Sequence, residues 1–261
     1  MLVSEKLNND PRTGVSVSRR VTIRELVDAH CHLHEFTDVR IREFVSNFTI
    51  VAVSDDEPSS RKTLELAKTY DSVVPCVGVH PWMVDKVPSD EADKVCKLAG
   101  EAMCIGEVGL DTKFVPDTIE RQREFFLKFL NVAKEYSLPM NIHSAGAWRE
   151  VFDLVIKYDI ERANFHWYTG PLDLLEEIVN KGYFVSINPA IKIQKKHQEV
   201  AKLVPLDRLL LESDGPYSYR GLELEPPLIR DTVNFLSNLK NVPPQEIIEK
   251  VRNNLRTFLK I

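Results

Sequence analysis

Long apolar runs are missing from this 261-residue chain. No stretch approaches the ~20 apolar residues that a membrane helix needs, so no membrane is expected as a partner. The first 20 residues, MLVSEKLNNDPRTGVSVSRR, have no apolar core of the signal-peptide kind, and Arg19-Arg20 runs into Val-Thr-Ile-Arg-Glu. Residues 1–22 therefore read as a polar tail and a candidate for disorder, and the protein as cytoplasmic. Cysteine is scarce, at 4 residues, and Cys31, Cys76, Cys96 and Cys104 form no Cys-x-x-Cys pair. That excludes a disulfide scaffold and predicts free thiols. There is no Gly-x-Gly-x-x-Gly loop for a dinucleotide, no linker or composition shift to split a second domain, and no short-period repeat. Basic charge is not in excess either. The 34 Lys and Arg against 39 Asp and Glu leave −5, which argues against a broad basic surface for gripping nucleic acid. A small cationic pocket remains open.

What is present is an alternation. From Leu26 onward, runs rich in Val, Ile, Leu and Phe predict strands at Leu26–His32, Phe48–Ser54, Val73–His80 and Met103–Leu110. Four more follow at Pro139–Ser144, Ala163–Trp167, Tyr183–Asn188 and Arg208–Asp214. Such runs are typical of a parallel sheet covered by helices. Helical signals lie at Pro58–Tyr70, Asp117–Ser137, Pro171–Asn180, Pro227–Leu239 and Pro244–Lys260. The second places Phe125, Phe126, Phe129, Leu130 and Ala133 in one apolar stripe. Strands alternating with helices, without a dinucleotide loop, predict an α/β fold. It is a single (β/α)8 TIM barrel over residues 23–261, its active site at the C-terminal mouth of the strands.

Polar residues gather at those strand ends. The first strand closes Asp28-Ala29-His30-Cys31-His32, and the two-residue period of a strand puts Asp28, His30 and His32 on the lumen face. Cys31 faces the helices, as a buried inert thiol. One His-x-His pair by itself is weak, but other strand ends carry the same residue types. His80 stands in Gly78-Val79-His80-Pro81, Glu107 in Gly106-Glu107-Val108-Gly109, and His143 and His166 end the fifth and sixth strands. The last strand closes Glu212-Ser213-Asp214. Of the 7 histidines only His197 lies in a helical stretch. Imidazoles and carboxylates converging from many strands suit divalent metals, and this donor set accepts Zn, Mg or Mn.

Taken in order, Asp-x-His-x-His, Gly-Val-His-Pro, Ile-Gly-Glu-Val-Gly-Leu-Asp, Ile-His, His and Glu-Ser-Asp-x-Pro-Tyr resemble the TatD family of metal-dependent hydrolases, from about Val27 to Tyr217. The resemblance implies two divalent metal ions. His30 and His32 would hold the first with Asp214, His143 and His166 the second, with Glu107 bridging and His80 facing substrate. The chain also departs from the family. His166-Trp167-Tyr168-Thr169-Gly170 stands where His-Cys-Phe-Ser-Gly is frequent, Ala145 where an Arg often appears, and the Arg-Asn-x-Pro element is reduced to Gly221-Leu222-Glu223-Leu224-Glu225-Pro226. These differences bear on substrate contacts and leave the metal set intact.

The activity implied is that of a (deoxyribo)nuclease, hydrolysing phosphodiester bonds at nucleic-acid ends (DNA, with RNA as an alternative) by a two-metal activated water. Two divalent ions, less Glu107, Asp214 and a hydroxide, leave about +1 to attract an anionic ester. Asp214 is expected to act as base and ligand, with Glu107 beside it in the reaction. Glu212 on the same face, and Asp28 deeper, are expected to orient the ligands. Trp82, Trp148, Trp167 and Tyr168 near the mouth suit stacking on bases, although core packing accounts for each equally well. Lys192 is the phosphate contact expected after the seventh strand, with Lys195, Lys196, Arg149 and Arg220 weaker. His34, beyond the strand end, reads as a rim residue. Two other readings stay open. One is an amidohydrolase-type enzyme cleaving a C–N or carboxylic ester bond, although Glu107 stands where some relatives bridge with a modified Lys. The other is a non-catalytic metal-binding barrel. No obligate protein partner is evident.

Overall fold

The computed structural model describes the backbone of residues 3–9 and 16–261, and side chains from residue 21 on. Strands β1 (Val3–Asn9) and β2 (Ser16–Thr22) pair antiparallel, with Val3 opposite Thr22. The expected polar tail thus contains a two-stranded ribbon, while its residues 1, 2 and 10–15 lie outside the described residues. The ribbon meets the rest of the fold at Thr22, whose amide donates to the Asp71 carbonyl at 2.8 Å and whose hydroxyl donates to the Asp71 carboxylate at 2.6 Å.

The barrel strands are β3 (Leu26–Cys31), β4 (Phe48–Ala52), β5 (Val73–Val77), β6 (Cys104–Gly109), β7 (Met140–His143), β8 (Ala163–Phe165), β9 (Phe184–Ile187) and β10 (Leu209–Leu211). Each falls inside one predicted run, and they form one 8-stranded parallel sheet in chain order. Every residue of these strands is buried, which explains why they read as continuous apolar runs. The seam between first and last strand is drawn together at the C-terminal mouth. There the Asp214 amide donates to the His30 carbonyl at 3.0 Å and the His32 amide to the Gly215 carbonyl at 2.9 Å. Asp28, fully buried, ties the same seam from below by accepting from the Ser213 amide at 2.9 Å.

Around the barrel lie α1 (Asp38–Asn47), α2 (Glu57–Thr69), α3 (Glu91–Cys96), α4 (Ile119–Tyr136), α5 (Trp148–Lys157), α6 (Leu172–Asn180), α7 (Lys195–Leu203), α8 (Ile229–Lys240) and α9 (Pro244–Leu259). Local sequence sets the start of α2: the Asp56 carboxylate accepts from the Ser59 amide and the Ser59 hydroxyl accepts from the Asp56 amide, both at 2.9 Å. This reciprocal cap satisfies two otherwise orphaned donors. The predicted stripe of α4 is buried at Phe125, Phe126, Phe129, Leu130 and Ala133. No helix among the described residues is long and apolar enough to cross a membrane.

The expectation of four free thiols is corrected. Cys76 on β5 and Cys104 on β6 are joined in a disulfide, and only Cys31 and Cys96 are free. Parallel pairing sets Cys76 directly opposite Cys104, a neighbourhood their 28-residue separation conceals. Burial pushes the Cys31 thiol well above its ordinary value, as suits an inert core group.

His197 on α7 is fully buried, and its Nε2 accepts from the Asn188 amide at 3.1 Å. Burial pushes its pKa down to about 4. An unfolded histidine titrates near ~6.5, so protons favour the unfolded chain between those values. The contribution of His197 is complete above that pH and is lost as pH falls toward about 4. It amounts to roughly 3 kcal/mol at most. Urea unfolding followed across this window should show wild-type stability falling more steeply than that of His197→Gln. Parallel profiles would contradict the assignment.

Candidate metal centre

The two-residue period places polar side chains in two tiers inside the barrel. The deeper tier holds Asp28, Asn141, Asn164, Ser186 and Glu212; two residues further on stand His30, His143, His166, Asn188 and Asp214, all buried. Glu107 joins the second tier from β6, and its flanking glycines make room for it. A Cβ at Gly106 would stand 2.7 Å from Asn141 Cβ, and one at Gly109 would run into the His143 carbonyl. Without those glycines β6 could not approach β7 closely enough to set Glu107 among the histidines.

Glu107 is 1% exposed and its two oxygens face different imidazoles. Oε2 lies 3.1 Å from both His30 Nε2 and His32 Nε2. Oε1 lies 2.7 Å from His143 Nδ1, 2.9 Å from His166 Nε2 and 3.2 Å from His80 Nε2. Asp214 Oδ1 completes the first side, 3.4 Å from His30 Nε2 and 3.8 Å from His32 Nε2. Across the second side His166 Nε2 and His143 Nδ1 are 3.3 Å apart.

Hydrogen-bond partners decide which nitrogens carry protons. His143 Nε2 lies 2.9 Å from the Asp111 carboxylate, which can only accept, so a neutral His143 turns the lone pair of Nδ1 toward Glu107. Asn141 Nδ2 donates to the Ala29 carbonyl at 2.6 Å, so its Oδ1 accepts from His30 Nδ1 at 2.9 Å. His30 Nε2 then also aims a lone pair at Glu107. Lone pairs of nitrogen and carboxylate facing each other at these distances require a cation between them. Protons on the imidazoles are one solution, and divalent ions with nitrogen and oxygen ligands are the other, so this donor set fits metal. One donor from each of His30, His32 and Glu107 falls within 4.8 Å of the others, as does one from each of His80, Glu107 and His143. His80 differs from the rest. Its Nδ1 accepts from the Trp82 amide at 3.1 Å, which leaves Nε2–H facing Glu107 Oε1 at 3.2 Å.

The same electrostatics shifts the titrations. Burial alone would raise Glu107, but His80, His166 and His30, with His143 against it, hold it well below the usual carboxylate range. Burial works against charge on His166 too, and Glu107 outweighs it to raise that imidazole well above normal. His32 is raised in the same way by Asp55, and His143 by Asp111 and Glu107, again against burial. Asp214 is raised by burial, and burial pushes Asp28 up to about 7. Glu212 is lowered despite burial, chiefly by His166. Glu212 Oε1 accepts from the Trp167 amide at 2.9 Å and lies 3.8 Å from His166 Nδ1.

Above these groups opens a cavity of about 510 Å³, with His32, His80, Glu107, His143, His166 and Asp214 in its lining. Its wall is aromatic. Ring centroids run from Phe114 to Trp82 at 5.8 Å, Trp82 to Tyr217 at 6.2 Å, Tyr217 to Trp167 at 6.0 Å and Trp167 to Tyr219 at 5.1 Å. Both indoles are pinned through their N–H groups, Trp82 to Asp111 at 2.6 Å and Trp167 to Gln194 at 2.8 Å. Trp148 also lines the cavity.

Lys192, expected as a phosphate contact, does not line the cavity, and for Tyr168 core packing is the alternative that holds. Lys192 ends a 3-10 turn and its ammonium bonds Asp231 on α8 at 2.6 Å, away from the cavity. Tyr168 is fully buried, its hydroxyl donating to the Pro171 carbonyl at 2.7 Å, so it offers no stacking face. Among the weaker cations, Lys196 pairs with Glu199 at 3.6 Å and Arg149 with Glu177. The lysines that do line the cavity are Lys86 and Lys113. Sequence reasoning missed Asp55 and Asp111, which stand one residue past predicted strands and press on His32 and His143. It also missed Asn141 and Asn164. Their signal was the period already applied to His30, since each lies two residues before a singled-out histidine.

Glu107→Gln keeps the shape and removes the charge that five imidazoles face. Divalent metal retained per chain after dialysis should fall by half or more while circular dichroism is unchanged. Full retention would contradict this account of the site.

The model of the family described as TatD related DNase matches residues 27–260. An uncharacterized metal-dependent hydrolase of Methanocaldococcus jannaschii is 29% identical over 246 residues, covering 90% of this chain and 96% of that protein. The human protein named deoxyribonuclease TATDN3 is 30% identical over 265 residues, covering 90% of this chain and 95% of that protein. Among solved structures, the TatD homolog YJJV of Escherichia coli K12 superposes with a TM-score of 0.83 at 24% identity, covering 92% of this chain and all of that one. With the family match running through the whole barrel, the chain belongs to the TatD family of metal-dependent hydrolases.

Proposed function

We propose that this chain hydrolyses phosphodiester bonds at the ends of nucleic acid, DNA first and RNA as an alternative substrate. The observation that carries this reading is the division of Glu107, with Oε2 facing His30 and His32 and Oε1 facing His143 and His166 at 2.7–3.1 Å. A carboxylate so placed suits two divalent ions (Zn, Mg or Mn), with His30, His32 and Asp214 on one side and His143 and His166 on the other. Ions held there would supply a water of lowered pKa and a Lewis acid for the phosphoryl oxygen. Asp214 stands at the cavity floor, only 6% exposed, where its carboxylate can take the proton of the attacking water. His80 offers the substrate side an imidazole held by the Trp82 amide, and Glu212 and Asp28 keep the ligand-bearing strands in register.

The cavity also fits the substrate class. The exposed rings of Phe114 and Tyr217, 57% and 41% accessible, with the pinned indoles of Trp82 and Trp167 present apolar faces on which an unpaired base can stack. Lys86 and Lys113 place positive charge at the wall. A chain of net charge −5 would then hold a strand end in its pocket rather than lie along a duplex. The human relative's name, deoxyribonuclease, supports the same substrate.

End-labelled single- and double-stranded DNA incubated with metal-loaded protein should shorten with Mg²⁺, Mn²⁺ or Zn²⁺ and stop shortening with chelator. Asp214→Asn should lower the rate by ~10²–10⁴-fold, the usual contribution of a positioned base. Intact DNA alongside cleavage of a cyclic amide or simple ester would overturn this reading in favour of amidohydrolase-type chemistry. No metal-dependent turnover on any ester or amide would favour a binding barrel.

A further inference from the structure

Beside the Glu107 centre, the cavity wall carries a second group of side chains able to hold a metal, three of which the proposed hydrolysis does not use. One donor atom from each of His32, His34, Glu35 and Asp55 lies within 4.8 Å of the other three. Asp55 is the shared member, with Oδ2 3.1 Å from His34 Nε2 and Oδ1 3.0 Å from His32 Nδ1. His34 and Glu35 come from the 3-10 turn Leu33–Glu35, which follows β3 directly, and Asp55 comes from just past β4. The His34 ring is 10% exposed and Asp55 18%, so the imidazole is built in rather than splayed on the surface. His32 Nδ1 is buried and makes no hydrogen bond, although Asp55 is so near.

We propose that His34 Nε2, Asp55 and Glu35 bind an additional divalent ion of the zinc or manganese type, next to the Glu107 centre. His32 remains turned through Nε2 toward Glu107 and adds only its flank. Donors on a tetrahedral ion with bonds of ~2.0–2.2 Å stand about 3.3–3.6 Å apart, close to the 3.1 Å between His34 Nε2 and Asp55 Oδ2, and the Glu35 carboxylate reaches within 4.8 Å of both. One nitrogen and two carboxylates suit zinc or manganese, and three protein donors leave a position for water or a phosphate oxygen. That position opens to the cavity, since Glu35, Asp55 and His32 all line it.

The purpose of the ion rests on the reading of the cavity as a phosphodiester site. Glu35, Asp55, Glu107 and Asp214 all line the cavity, against Lys86 and Lys113 as its permanently charged cations. A polyanion entering along the Glu35–Asp55 wall would meet repulsion. A divalent ion seated between those carboxylates turns the same wall into a phosphate contact.

The test is a difference in stoichiometry and needs no activity. Full-length wild type, His34→Ala and Glu35→Gln are stripped with chelator, equilibrated at one buffered free-zinc concentration, and analysed for zinc per chain. Glu35 is exposed, so its variant keeps the test valid if His34→Ala folds poorly. Wild type should hold one equivalent more than either folded variant. Equal zinc in wild type and Glu35→Gln would overturn the proposal whatever the total. The total held by the variants reports separately on the Glu107 centre: two equivalents agree with the proposed function and fewer count against it, without altering the difference.

Discussion

Five imidazoles gathered around one buried carboxylate form an arrangement that water would ordinarily prevent. Glu107 is held charged in the barrel lumen because His30, His32, His80, His143 and His166 surround it, and His32, His143 and His166 are raised because carboxylates press on them. Each group would be costly to bury alone, and together they call for positive charge between nitrogen and oxygen. The glycines beside Glu107, the tight approach of β6 to β7 and the carboxylates behind the imidazoles all follow from that demand.

A continuous polar layer lies beneath the site. His30 Nδ1 meets Asn141 Oδ1 at 2.9 Å, Asn164 Nδ2 donates to Ser186 Oγ at 2.9 Å, and the Ser186 hydroxyl donates to Glu212. Asn141 and Asn164 are themselves joined at 3.2 Å, so the layer links β3, β7, β8, β9 and the end of β10. Barrel closure uses the same residues. The Asp214 amide bonds the His30 carbonyl while its carboxylate faces the His30 ring, so the seam that shuts the barrel also sets the distance between two proposed ligands. Fold and site are therefore coupled at the mouth, where a loosened seam would move both.

Much of this was legible in the residue order, for identifiable reasons. Fully buried parallel strands read as apolar runs, so all eight were found. Histidines and acids at strand ends stood out against that background. Two things were hidden, one because it depends on neighbours remote in sequence and one because it lies past the strand ends. The Cys76–Cys104 bond exists through the register of β5 and β6. Asp55 and Asp111 lie in loops, where the two-residue period no longer says which way a side chain points. The same loss of period hid that Lys192 turns to Asp231 and could not choose between stacking and packing for Tyr168.

We propose that Glu107 divides its two oxygens between two cations. Anomalous scattering from crystals grown with Mn²⁺ or Zn²⁺ tests it most directly. Two peaks should flank the Glu107 carboxylate, one toward His30, His32 and Asp214 and the other toward His143 and His166. A peak on one side only, or none against Glu107 at saturating metal, would contradict it.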